Sequence, residues 1–138
     1  MKPYHLDSSI VIPYLNTKLR RKPRDAEAAE KNKKAREFMD KNATASPRIS
    51  LATYAEVARE FHDVENLEDM LAPLKAPLAF RAQDARRWAR LQNRSARVMG
   101  DNDAWNAALA IDENATLVGS DHAFQNRPDL DYIDFMKP

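Results

Sequence analysis

The sequence predicts an α/β fold with a mainly parallel central sheet of four to five short strands, flanked by helices. Strand-like segments alternate along the chain with helical ones, which is typical of such folds. A length of 138 residues, 43% of them hydrophobic, suits one domain with a single core of ordinary size. We therefore expect one domain over residues 1–138, with an exposed helical segment at about 20–43.

The first half of the chain contains two strand candidates. The segment "PYHLD" is a weak first strand, and a helix should follow from about Ile12, since Pro13 is tolerated only in a first helical turn. Residues 25–41 are polar and rich in helix formers, which predicts an exposed helix that docks through Ala28, Ala35, Phe38 and Met39. "PRISL" is the second strand candidate, and it leads into a helix, "ATYAEVAREF", with apolar residues at helical spacing.

The second half continues the alternation. "ENLEDMLAPL" predicts a helix ended by Pro73 and Pro77, and "PLAF" a third short strand. "QDARRWARLQNRSARVM" predicts a helix with Trp88, Leu91, Ser95 and Val98 inward and with Arg86, Arg90, Arg94 and Arg97 roughly opposite. "DAWNAALAIDEN" is a further helix, "ATLVGS" the clearest strand, and "LDYIDF" a closing edge strand.

Composition excludes several classes of protein. The chain has no cysteine, so it has no disulfide, no thiol nucleophile and no zinc-ribbon site. Its two glycines, Gly100 and Gly119, are too few for a P-loop or a dinucleotide-binding fingerprint. No apolar run is long enough to span a bilayer, and the N-terminus lacks the apolar core of a signal peptide, so we expect a cytoplasmic protein without membrane association.

Four carboxylates follow strands or begin helices. Asp7 ends the first strand, Glu56 should lie in the first turn of the helix after "PRISL", Asp103 opens "DAWNAALA", and Asp121 directly follows "TLVGS". In a parallel sheet these positions meet at the edge where ligands bind. Acids gathered there repel one another unless a cation lies among them, and oxygen ligands suit Mg²⁺ or Mn²⁺.

Each acid also has a purely structural interpretation. Asp7 and Asp103 suit helix caps, and Asp121 suits a turn. Glu56 suits a capping box in which it reaches back to the N–H of Thr53. The four together favour a site, because independent caps need not fall on one edge of a sheet.

The segments "HLDSSIVI", "SLATYAEVARE", "GDNDAWNAALA" and "TLVGSDHAF" resemble, in order and spacing, the motifs of PIN-domain ribonucleases, in particular the VapC-like toxins of toxin–antitoxin pairs. The resemblance covers essentially the whole chain. It implies a PIN domain with a Rossmann-like three-layer sandwich. It also implies a Mg²⁺- or Mn²⁺-dependent endoribonuclease that cleaves single-stranded or loop RNA and is the toxin of such a pair.

The resemblance also implies roles for individual residues. Asp7, Glu56, Asp103 and Asp121 would be the catalytic metal ligands, with Asp7 and Asp103 the most direct. Ser8 and Ser120 would be supporting or phosphate-contacting positions. Asn106 stands where the family usually has an apolar residue; it shares a helix face with Asp103, three residues before it, and either supports the site or is merely tolerated at an edge. Asp101 is an additional acid that either substitutes for Asp103 or lies outside the site.

The partners of the chain follow from the same resemblance. We expect RNA, a cognate antitoxin and a second copy of the chain in a homodimer. The arginine face of Arg86, Arg90, Arg94 and Arg97 is our first choice for contacts with the RNA backbone, although a merely solvated face is the simpler explanation of it. The basic segment "KLRRKPR" contacts either RNA or a partner.

Two alternatives compete with a nuclease. One is a non-catalytic PIN-like module that only binds RNA or protein, against which the full set of four acids argues. The other is a different Mg²⁺-dependent α/β protein. A phosphatase that uses aspartyl phosphate requires a second Asp where Ser9 stands, and a receiver domain requires an Asp after the third strand and a Lys after the fifth, which are not found.

Overall fold

A computed structural model describes residues 2–72, 74–94 and 99–137. Three parallel strands form its sheet in the order β1 (Tyr4–Leu6), β2 (Thr116–Gly119) and β3 (Asp131–Asp134). Leu6 lies beside Val118, and Val118 lies beside Ile133. The first strand, the clearest strand and the closing edge strand of the sequence analysis are thereby confirmed.

The second and third strand candidates are reduced to single bridges, so the sheet has three full strands among the described residues instead of four to five. Arg48 bridges to His5, and Leu78 bridges to Ser50. Neither segment extends into a full strand, because a neighbouring residue cannot continue the ladder of hydrogen bonds. Ser50 leaves the sheet to cap a helix, and Pro77, directly before Leu78, has no N–H for a ladder.

Six helices connect these strands in the described part of the chain. Their bounds are α1 (Ser8–Lys18), α2 (Ala26–Lys41), α3 (Leu51–Glu60), α4 (Leu67–Met70), α5 (Ala82–Arg94) and α6 (Asp101–Asp112). Short 3₁₀ turns occupy Ala43–Ala45 and His122–Phe124. No helix of the described residues is both long and apolar enough to cross a membrane.

The sheet separates two hydrophobic clusters, which gives the three-layer arrangement expected. Val118 of β2 packs with α1, α2 and α3, whereas Leu117 next to it packs with α6. Successive side chains of a strand point to opposite faces, so one strand contributes to both clusters. The expected α/β architecture, a parallel sheet with helices on both faces, is confirmed.

Helix α1 begins four residues earlier than Ile12, the position expected from Pro13. The Asp7 carboxylate caps it, since Oδ2 accepts a hydrogen bond from the Ser9 N–H at 3.1 Å. Pro13 consequently lies inside the helix, where it is buried beside Tyr14 and Leu15. The cap and the burial of this face outweigh the unfavourable position of the proline.

Helix α2 agrees with the expected exposed segment. Only Ala35 and Met39 of this helix are buried, and the Asp25 side chain caps it. Helix α4 is much shorter than the helix expected from "ENLEDMLAPL", whose Pro73 lies outside the described residues. In α5, Trp88 and Leu91 pack inward as expected, whereas Ser95 and Val98 lie outside the described residues.

Candidate active site at the carboxyl edge of the sheet

Two of the predicted acids follow neighbouring parallel strands. Asp7 follows β1, and Asp121 follows β2 after Ser120. Each of these two side chains also caps the helical turn that follows it in the sequence. Asp7 accepts from the Ser9 N–H, and Asp121 Oδ1 accepts from the Ala123 N–H at 2.9 Å. The cap interpretation and the site interpretation therefore describe the same two side chains, because capping uses only one of the two oxygens of each carboxylate.

The other two acids come from helices. Asp103 lies in the first turn of α6, whose N-cap is Gly100, so Asp103 is not the cap. Glu56 lies in the second turn of α3, not in the first as the sequence suggested. The expected capping box between Thr53 and Glu56 is wrong, because Ser50 is the N-cap and its Oγ accepts from the Thr53 N–H at 3.1 Å. Glu56 is thus free of that local role.

The four carboxylates are close enough to affect one another's protonation. Burial, the charges of Asp7, Asp121 and Glu56, and a hydrogen bond to Asp121 together raise the pKa of Asp103 to about 7. A protonated Asp103 that donates to Asp121 removes one negative charge from the cluster. The structure therefore brings all four predicted site residues together at one edge of the sheet.

Glu56 lies on the rim of this cluster. Burial and the charge of Asp7 raise its pKa, while hydrogen bonding from Ser8 and Asn102 partly offsets that rise. One of its carboxylate oxygens, Oε1, is buried without a hydrogen-bond partner among the described residues. An oxygen in this condition is costly to bury and is suited to accept a ligand.

A buried hydrogen-bond network fixes the orientation of Asp7. Asn106, only 3% exposed, donates from Nδ2 to Asp7 Oδ1 at 3.1 Å and to Thr53 Oγ1 at 3.1 Å. Its Oδ1 accepts a hydrogen bond from Ser50 Oγ. Of the two roles that the sequence allows for Asn106, support of the site or tolerance at an edge, the structure selects the first by placing it directly against Asp7.

Ser9 and Gly119 are site residues that the sequence analysis missed. Ser9 Oγ accepts from the Ser120 N–H at 3.0 Å, which joins the start of α1 to the end of β2. A Cβ at Gly119 would lie 2.8 Å from Ser9 Oγ and 3.1 Å from Asp7 Cβ, so only glycine permits this approach. The sequence signal was the glycine at the end of the clearest strand, since such glycines often mark a close approach of backbone.

The two serines expected to support the site are both present there. Ser8 hydrogen-bonds to Glu56. The contact of Ser120 uses its backbone N–H, which donates to Ser9.

Tyr132 is a further neighbour of the acids that the sequence did not indicate. Its hydroxyl donates to the backbone carbonyl of Asp121 at 3.2 Å. Burial raises the pKa of Tyr132, and the charges of Asp134 and Asp7 raise it further, so the hydroxyl remains protonated and continues to donate. Tyr132 thereby holds the backbone of Asp121 in place.

The chemistry of the donors fits a hard divalent cation. All the candidate ligands are oxygens, and Glu56 Oε1, which has no hydrogen-bond partner among the described residues, belongs to the cluster that raises the pKa of Asp103. No three His, Cys, Asp or Glu side chains within the described ranges are already arranged as metal ligands. To hold an ion, these carboxylates would have to reorient and Asp103 would have to lose its proton.

The remaining predicted residues are Asp101 and the arginine face. Arg86 and Arg90 are exposed on α5, whereas the side chain of Arg94 and the whole of Arg97 are outside the described part of the chain. Asp101 is exposed at the first residue of α6, and its backbone carbonyl accepts a hydrogen bond from Trp88 Nε1 at 3.3 Å.

The fold and its acidic edge define a PIN-like α/β domain. A chain of the VapBC2 complex from Rickettsia felis, bound to a promoter DNA fragment, is similar over 94% of this chain and 96% of that chain, with a TM-score of 0.71 and 22% identity. DNA-bound VapBC from Salmonella typhimurium matches over 98% and 99%, with a TM-score of 0.69 and 21% identity. FitAcB from Neisseria gonorrhoeae matches over 96% and 97%, with a TM-score of 0.73 and 19% identity.

The predicted VapC-like PIN fold is confirmed by this near-complete coverage. No protein-family model and no curated protein matches the sequence. Identities of 19–22% establish the fold alone, so the activity has to be argued from the residues of the site.

Proposed function

We propose that this protein is a Mg²⁺- or Mn²⁺-dependent endoribonuclease that hydrolyses phosphodiester bonds in single-stranded or loop RNA. One observation carries the proposal. Three carboxylates from separate parts of the chain, those of Asp7, Glu56 and Asp121, gather around the buried Asp103 so closely that its pKa rises to about 7. A cluster of this kind is unfavourable to the metal-free fold, and a divalent cation relieves the repulsion.

Each residue has a distinct role in the proposed site. Asp7 and Asp103 would hold the ion most directly, with Glu56 and Asp121 beside them. When bound, such an ion polarises a phosphoryl oxygen and stabilises charge on the attacking and leaving oxygens. Asn106 keeps Asp7 in the orientation needed to bind, through the 3.1 Å hydrogen bond to Oδ1. A supporting hydrogen bond of this type commonly decides how well a ligand binds.

Single-stranded RNA is the proposed substrate because its backbone and bases are accessible at once. Arg86 and Arg90 are exposed and form no ion pair with the described residues. They are available for contacts with phosphates, which would make binding weaken as salt rises. Arg94 and Arg97 belong to the same proposed face.

A toxin–antitoxin setting is proposed from the similar structures. VapBC assemblies and a toxin–antitoxin complex from Klebsiella pneumoniae share the fold over nearly the whole chain. We propose a cognate antitoxin as the partner that silences this nuclease, together with a homodimer and a cytoplasmic location.

The direct test is cleavage of single-stranded RNA by the purified protein with Mg²⁺ or Mn²⁺, compared with EDTA. Asp7→Asn and Asp103→Asn should each lose more than the roughly 10–100-fold that changing a merely supporting residue costs. Asp101→Asn is the matched control, since it removes an exposed carboxylate two residues from Asp103 on the same helix. Circular dichroism and melting would show that the variants remain folded.

Cleavage by Asp7→Asn and Asp103→Asn at the parental rate would contradict the assignment. Induced expression offers a second readout, in which the parent should inhibit growth and Asp7→Asn should not. Inhibition that persists in Asp7→Asn would favour the alternative, a non-catalytic module that binds RNA or protein.

A further inference from the structure

A shallow cavity of about 260 Å³ lies between α1 and α2. Its polar lining consists of Ser8, Ser9, Asn16, Lys31 and Asn32. The α1 residues lie on one face of that helix, and the α2 residues are adjacent on one face of theirs, so two helix surfaces form the opposing walls. The cavity is large enough for a single planar base or nucleotide and too small for a protein domain.

Three polar side chains of this cavity have no hydrogen-bond or ion-pair partner among the described residues. Asn16, Lys31 and Asn32 are half-buried, and their side chains form no hydrogen bond or ion pair with the residues that the structure describes. By contrast, Lys34 on the same helix pairs with Glu30 and donates to the Met136 carbonyl. Half-buried amides and an ammonium group that converge without partners are arranged to bind something outside the chain.

The cavity adjoins the acidic cluster through two residues. Ser8 hydrogen-bonds to Glu56, and Ser9 donates its N–H to Asp7 Oδ2 at 3.1 Å. The same two serines line the cavity. An RNA strand whose phosphate lies against the carboxylates can therefore place its adjacent nucleotide between α1 and α2.

We infer that this cavity binds one nucleotide of a single-stranded RNA, the nucleotide adjacent to the phosphate that the acidic cluster cleaves. The inference rests on the proposed function and adds a subsite that distinguishes one base of the RNA from another. Lys31 pairs with the phosphate of that nucleotide. The amides of Asn16 and Asn32 each offer a donor and an acceptor to the edge of the base.

The apolar part of the lining fits the same ligand. Ile12, Pro13 and Ala28 supply apolar surface that can pack against the face of a base. Single-stranded recognition in general combines such packing with hydrogen bonds to base edges and charge on the backbone. Apolar surface, hydrogen-bonding amides and a positive charge are all present in this one cavity.

Binding can be tested without any cleavage. The ¹⁵N-labelled full-length protein, in Mg²⁺, is titrated with each of the four nucleoside 5′-monophosphates while the side-chain NH₂ resonances are followed by NMR. The resonances of Asn16 and Asn32 should move together and saturate, and Lys31→Ala should weaken binding about tenfold, as expected for a lost charged contact. Lys33→Ala is the matched control, because Lys33 is exposed on α2 and does not line the cavity.

Sequence preference provides the second test. Short RNAs that differ in one base are cleaved by the parent, by Asn16→Ala and Asn32→Ala, and by Asn66→Ala as an exposed control. The two cavity variants should lose about tenfold in discrimination at one position adjacent to cleavage, as expected for a lost hydrogen bond to a base edge. The control should keep the parental preference.

The two tests separate failure of the inference from failure of the nuclease. If RNA is cleaved but Asn16→Ala and Asn32→Ala keep the parental base preference, the cavity is not this subsite. If RNA is not cleaved while the amide resonances still saturate with nucleotide, the nuclease proposal fails and nucleotide binding stands. Loss of antitoxin binding in the cavity variants, with unchanged base preference, would overturn the inference in favour of a protein-docking surface.

Discussion

Asn106 and Asp7 lie 99 positions apart in the sequence and are joined in the interior by a hydrogen bond of 3.1 Å from Nδ2 to Oδ1. The amide is held on its other sides by Thr53 and Ser50. Since Asp7 also accepts from the Ser9 N–H, both of its carboxylate oxygens have a fixed donor. The most buried acid of the cluster, 3% exposed, is thereby the one whose orientation is best determined.

Replacing Asn106 by leucine should lower the free energy of unfolding by about 1–3 kcal/mol. Leucine has the same branching at Cγ and is larger, so the variant removes the hydrogen bonds to Asp7, Ser50 and Thr53 without leaving a cavity. Urea denaturation of the parent and of Asn106→Leu measures the difference, and Asn66→Ala should stay near the parent. Equal stability of the parent and Asn106→Leu would show that the network contributes little to folding.

Gly119→Ala should destabilise the fold by about 1–3 kcal/mol, as overpacking usually does. Its new Cβ would lie 2.8 Å from Ser9 Oγ, whereas a Cβ at Gly100 would meet nothing closer than Asp103 Oδ2 at 3.6 Å. Gly100→Ala is therefore the natural control and should cost much less. If the contact with Ser9 is the cause, adding Ser9→Ala to Gly119→Ala should recover part of the loss; a purely additive double variant would contradict that cause.

The pH dependence of stability follows from Asp103. Its pKa is raised from 3.8 to about 7, so it stabilises the metal-free fold at low pH and that contribution is lost as pH rises through 7. His5 opposes this over the same range, because burial lowers its pKa from 6.5 to about 4, and its contribution is lost as pH falls through 4. The parent alone therefore shows a partly cancelled profile.

Comparison with Asp103→Asn isolates the acid, since both proteins contain His5. In EDTA, the free energy of unfolding of the parent minus that of the variant should fall steadily between about pH 4 and pH 8. Chemical denaturation at a series of pH values measures it. A difference that stays constant or rises with pH would contradict the raised pKa of Asp103.

Divalent cations should raise the melting temperature of the parent at about pH 8, by roughly 4 °C for each kcal/mol of binding free energy. The reason is that Mg²⁺ or Mn²⁺ relieves the repulsion around Asp103 and binds only the folded form. The shift should be smaller at about pH 5, where the proton of Asp103 competes. Asp101→Asn should keep the full shift and Asp103→Asn should lose most of it, and an unchanged parental melting curve would contradict a cation site.

An ion-pair network that joins α5 to α6 predicts a difference between two neighbouring arginines. Arg87 Nε donates to Asp112 Oδ1 at 2.6 Å, and the Asp112 side chain is only 8% exposed. Arg87→Met should cost about 1–3 kcal/mol of stability because it leaves this carboxylate without its charged donor. Arg86→Met, at an exposed position, should change stability by less than about 0.5 kcal/mol. Equal effects in thermal or urea unfolding would contradict a stabilising role for the network.

Local sequence was sufficient for the parts of the site that parallel topology imposes. The apolar run before Gly119 and the short strand before Asp7 predicted two parallel strands, and the carboxyl ends of parallel strands share one edge. The order of the elements alone therefore places the acids after these strands together. It does not place Glu56 or the cap at Ser50, because "SLAT" and "TYAE" both satisfy the local pattern of a helix start.

The sequence by itself determined the fold class and the meeting of Asp7 and Asp121 at one edge of the sheet, since both depend on periodicity and on the order of elements. Only the tertiary structure decided that Asn106 fixes Asp7, that Ser9 requires a glycine at position 119, and that a cavity between α1 and α2 opens beside the acids. These features depend on distances between side chains from remote parts of the chain. Such distances are set by packing of the whole domain, which no local pattern encodes.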